Sequence, residues 1–87
     1  MAKAKLTAVE RDWVKRMQKL LSECPSSRIG FATIGDAEVF LFDVKFYDDI
    51  CHKLDHGGGD FLPIAQNMGA TFEESLHFPN PVESTSG

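Results

Sequence analysis

No apolar run in these 87 residues approaches the roughly 20 needed to span a bilayer. The opening MAKAKLTAVERDW has basic residues but no apolar segment behind them, so no secretory leader is expected. Cysteine is scarce. A lone pair, Cys24 and Cys51, without export signals reads as two reduced, buried thiols rather than a disulfide. These absences together predict a cytoplasmic chain. There are no internal repeats. A chain of this length buries only roughly 60–65% of its unfolded surface, so one small domain is expected, with little room for a deep active-site cleft.

Catalytic signatures are missing too. His56-Gly57-Gly58-Gly59 matches in letters the oxyanion segment of lipases and esterases, but the chain has no G-x-S-x-G elbow and is too short for that sheet. The glycine run follows a helical stretch rather than joining a strand to a helix, which argues against a phosphate cradle. Asp48-Asp49 and Glu73-Glu74 are adjacent pairs that diverge, leaving no acid/base couple. Cys51 and His52 are sequence neighbours about 100° apart on a helix and do not face each other. The sequence therefore predicts a non-enzymatic protein with no cofactor.

What is present is organised around Arg28–Asp43, RIGFATIGDAEVFLFD. Two β-favouring runs flank Gly35-Asp36, which signals a hairpin. With those two residues as the loop, Phe31 pairs with Phe40 and Ile29 with Phe42. One face then carries Ile29, Phe31, Phe40 and Phe42, and the other Gly30, Ala32, Val39 and Leu41. Neither face is polar, so both need cover, and Gly30 and Ala32 would let a helix approach closely. Phe31 and Phe40 are accordingly candidate partner-binding residues, with a homodimer as one way to cover them.

Upstream, Thr7 and Glu10 form a capping box, and Trp13, Met17, Leu20, Leu21 and Cys24 recur on one helical face until Pro25 ends the helix. Arg11, Lys15 and Lys19 lie on the opposite face. They read first as a solvated face and second as a site for an acidic protein partner. Residues 1–24 hold six basic and three acidic side chains, net +3, and the remainder three and ten, net −7, within a total of −4. An acidic body disfavours nucleic acid, and Glu38 and Asp43 flank the aromatic strands where an RNA platform would need cations.

Downstream, Asp43 is expected to cap a second helix of about a dozen residues with Phe46, Tyr47, Ile50, Cys51 and Leu54 inward and Gly57 as its left-handed stop. A short helix after Asp60 follows, carrying Phe61, Ile64, Ala65 and Met68 inward and ending at Gly69. Thr71 to Phe78 fits two patterns, since Phe72, Leu76 and Phe78 alternate as in a strand while Phe72 and Leu76 also sit one helical turn apart; the strand is favoured because an isolated hairpin is marginal. The expected fold class is α+β: an N-terminal amphipathic helix on one face of a small sheet, a β-hairpin, one or two further helices and a short third antiparallel strand. The expected domain is 1–78, with 79–87 a loose tail. His52 and His56, with Asp48 on the same helical face, are metal candidates, making a small metal-binding protein the alternative to a protein-binding module.

The runs LTAVERDW and ECPSSRIGFATIGDAEVFLFD and the closing PVESTSG resemble short uncharacterised proteins encoded in prophages of enteric bacteria. That resemblance implies a phage accessory factor acting on a host or phage protein, and it brings no site residues with it.

Overall fold

The capping box is formed as its residue types require. Thr7 Oγ1 accepts from the Glu10 N–H at 3.2 Å while Glu10 Oε1 accepts from the Thr7 N–H at 2.8 Å. These two bonds start helix α1, Ala8–Ser22, which ends ahead of Pro25. The computed structural model describes residues 3–83 and continues with strand β1, Ile29–Thr33, and strand β2, Glu38–Asp43. A 3-10 turn, Val44–Phe46, leads into helix α2, Tyr47–Gly57, followed by helix α3, Phe61–Asn67, and strand β3, Thr71–His77. The sheet is antiparallel in the order β1-β2-β3, so the fold is α+β with the third strand beside β2.

The hairpin register differs from the sequence expectation by one residue. Ile29 pairs with Asp43, Gly30 with Phe42, Phe31 with Leu41 and Ala32 with Phe40. A two-residue hairpin turn of the expected kind needs positive φ at both centres. Here only Gly35 has it, at 89°. Asp36 instead accepts from the Glu38 N–H through Oδ1 at 2.9 Å, and Thr33 Oγ1 accepts from the Gly35 N–H at 3.2 Å. Such side-chain turns lengthen the loop by one residue. Since side chains alternate, the slip changes which of them share a face. Gly30, Ala32, Phe40 and Phe42 lie together on one face. Ile29, Phe31, Val39, Leu41 and Leu76 lie on the other. Phe31 and Phe40, expected to sit side by side, point to opposite faces.

The face of Gly30 and Phe42 carries the core. Phe42, Ile50, Ala65 and Ala70 are buried together, with Ala32, Phe46, Leu54, Phe61, Ile64 and Met68 packed around them. Gly30 is there to accommodate a ring rather than a helix. A Cβ on it would stand 2.5 Å from Cε1 and 2.9 Å from Cε2 of Phe42. The Phe42 ring in turn meets Phe61 edge-on at 5.0 Å and stacks on Tyr47 at 6.2 Å.

Asp43 fixes where the sheet hands over to α2. It is 4% exposed, and its carboxylate accepts from Arg28 Nε at 2.9 Å and from the Lys45 N–H at 3.1 Å. It thus caps the 3-10 turn rather than α2 itself. The left-handed residue after α2 is Gly58, φ 72°, and not Gly57, which still belongs to the helix. Gly69, φ 70°, closes α3 as expected. After His77 the described residues up to Glu83 form no helix or strand. The last four residues of the expected tail, 84–87, lie outside the described ones.

Candidate interaction surface

Helix α1 buries none of its side chains. Its apolar stripe is longer than Trp13 to Cys24, running back to Val9, four residues before Trp13. Trp13 remains 48% exposed, Leu20 70% and Val9 79%. Where α1 does meet the rest of the fold, Trp13, Met17, Leu20 and Leu21 share a shallow groove of about 250 Å³ with Leu76, His77, Phe78 and Pro79. That is the hairpin-loop end of the sheet, since His77 pairs with Glu38.

The rest of the open sheet face is uncovered by this helix. Phe31 is 51% exposed. Ile29 and Leu41 line a second groove of about 310 Å³ together with Ser26, Arg28, Phe72 and Glu74. The expectation that the first helix lies over one face of the sheet is thus met only at the end of β3. The reason is that α1 faces away along most of its length, leaving two apolar surfaces of one chain both exposed.

Among the partner-binding candidates, Arg11, Lys15 and Lys19 are exposed on the side of α1 turned from the Trp13 stripe. The fourth cation of this helix, Arg16, is tied to Asp12 at 3.0 Å. Phe31 lies on the open face. Phe40 is half-buried on the core face, because the one-residue slip pairs it with Ala32. Ile29, Leu41 and Leu76, which sequence reasoning left out, complete the open face. The alternation of β2 placed Leu41 beside Val39, but only the register could show that Phe31 joins them.

The metal candidates are brought together only in part. His52 and His56 stand one turn apart on exposed α2 with ring centroids 4.3 Å from each other. Asp48 is eight residues from His56, about 12 Å along the helix axis, which is too far for one ion to reach both. Among the described residues no group of three or more His, Cys, Asp or Glu side chains is placed to hold a metal. The two cysteines are free, with Cys24 exposed and Cys51 half-buried. They are less buried than expected.

Two ionisable groups are shifted. Burial pushes Asp43 up, but the Arg28 hydrogen bond, the Lys45 N–H and the two positive charges outweigh it and hold the carboxyl below its ordinary value. Arg28 also lies 4.9 Å above the Phe72 ring, so it links the ends of β1, β2 and β3. Tyr47 is raised, chiefly by the neighbouring Cys51 thiol. That direction is opposite to what a general base working near neutral pH needs. Tyr47 borders a cavity of about 310 Å³ with Phe31, Phe42, Phe61 and Asp60, largely aromatic and open at the β1 edge. Among the described residues no buried side-chain nitrogen or oxygen lacks a partner, so no orphan polar group aims into any cavity.

Among the described residues no helix is long and apolar enough to cross a membrane. No family model, no curated protein and no solved structure matches this chain.

Proposed function

We propose that this chain is a non-enzymatic protein-binding module, with the apolar stripe of α1 and the open sheet face as its binding surface. One observation carries the reading: a 15-residue helix with no buried side chain stands beside an uncovered apolar sheet face. Helices of 12–15 residues are marginal in water by themselves, and most helical stability comes from packing an amphipathic face. A partner supplies that packing.

The resemblance to prophage-encoded proteins narrows the reading to an accessory factor acting on a host or phage protein. Its contact then includes Arg11, Lys15 and Lys19, which stay free when the opposite, apolar side of α1 is covered. The test is capture from an enteric bacterial lysate by the tagged full chain, beside a variant with all three residues changed to Glu. A single protein retained by the wild type and lost by the variant is the expected result. Equal recovery by both forms would remove the basic face from the interface, and recovery by neither would remove the host-factor role.

A further inference from the structure

The molecule exposes far more surface than its mass requires. Its accessible area is 7148 Å². A compact monomer of 9.7 kDa is expected near 5,100 Å². The radius of gyration tells the same story, 15.8 Å against about 12 Å for a compact chain of this length. The excess of roughly 2,000 Å², to which the chain segments before α1 and after β3 also contribute, is larger than the 800 Å² or so that each partner contributes to a standard protein interface. Its apolar part includes Trp13, Leu20 and Leu21 of α1 and Phe31 and Leu76 of the open sheet face, with Ile34, Val44 and Tyr47 exposed elsewhere.

We propose that a second copy of this chain occupies that surface. Helix α1 of each protomer lies with Trp13, Met17, Leu20 and Leu21 across the open sheet face of the other. This rests on the binding-module reading and names its partner. Dimensions agree, since 15 helical residues span about 22 Å and strands of five to seven residues about 17–23 Å.

A foreign partner would have to bring both a groove for the helix and a ridge for the sheet. A second copy brings both by two-fold symmetry, the commonest form of soluble oligomer.

Sedimentation equilibrium of the full chain from micromolar to hundreds of micromolar tests this, with acrylamide quenching of Trp13 measured on the same samples. The expected mass is twice 9.7 kDa, with Trp13 shielded as the dimer forms. Leu20→Arg, on the helix side, and Phe31→Arg, on the exposed sheet side, are each expected to return the single-chain mass. Far-UV circular dichroism checks that each variant keeps its sheet, and either variant alone suffices if the other does not fold. A dimer that survives both substitutions overturns the inference, because its interface is elsewhere. A monomer at every concentration with Trp13 open to quencher overturns the inference but leaves the binding-module reading standing. A monomer with Trp13 shielded overturns both, because the chain then covers its own helix.

Discussion

Adding one methyl group at Gly30 tests the account of the core most directly. In Gly30→Ala the new Cβ would fall 2.5 Å from Phe42 Cε1 and 2.9 Å from Cε2, closer than van der Waals contact allows. Moving the ring disturbs its contacts with Phe61 at 5.0 Å and Tyr47 at 6.2 Å. Overpacking of this kind costs about 1–3 kcal/mol. Replacing a strand glycine offsets about 0.5–1 kcal/mol of that through lost backbone freedom in the unfolded chain. The balance is a loss of about 0–2.5 kcal/mol, and each kcal/mol lost lowers the melting temperature of a domain of this size by about 4–8 °C. Urea unfolding followed by far-UV circular dichroism measures it. Phe42→Leu in the same background should recover part of the loss, giving a coupling of about 1 kcal/mol in the double-mutant cycle. A Gly30→Ala variant more stable than the wild type by about 0.5–1 kcal/mol, the backbone gain with no overpacking against it, would refute the placement of the Phe42 ring over Gly30, and with it the register that puts them opposite.

Two further outcomes are expected. Asp43 has a folded pKa below its ordinary 3.8, so its contribution to stability is present above that value and is lost as pH falls through the folded pKa. The difference in unfolding free energy between wild type and Asp43→Asn should therefore stay constant from neutral pH down to about 4 and shrink below it; a difference that grows under acid would contradict the Arg28 pairing. Zinc titration should give binding weaker than micromolar at pH 7, lost in His52→Ala, because His52 and His56 are joined by no third protein ligand among the described residues; sub-micromolar affinity would favour the metal-binding alternative.

The sequence by itself determined the elements and their order, because each is signalled by local chemistry. Thr7 and Glu10 cap a helix through their own backbone, Pro25 and Gly69 end helices where the chain cannot continue, and alternation from Thr71 reads as a strand because residues of both faces are fixed by period two. Local signals miss by a residue where two of them compete. Gly57 and Gly58 are equally able to adopt positive φ, and Gly58 does so. Asp36 satisfies the Glu38 N–H instead of joining Gly35 in a tight turn, and that one bond reassigns Phe31 and Phe40 to opposite faces.

Only the tertiary structure decided which apolar residues are covered. A stripe of Trp, Met and Leu on a helix has the same pattern whether it faces its own sheet or another molecule, because periodicity records that burial is needed and not who provides it. Here Ile50, reached by α2, is 0% exposed, while Leu20, equally apolar and equally periodic, is 70% exposed. The difference lies in where the chain between α1 and β1 directs the helix, a long-range property that no local spacing encodes.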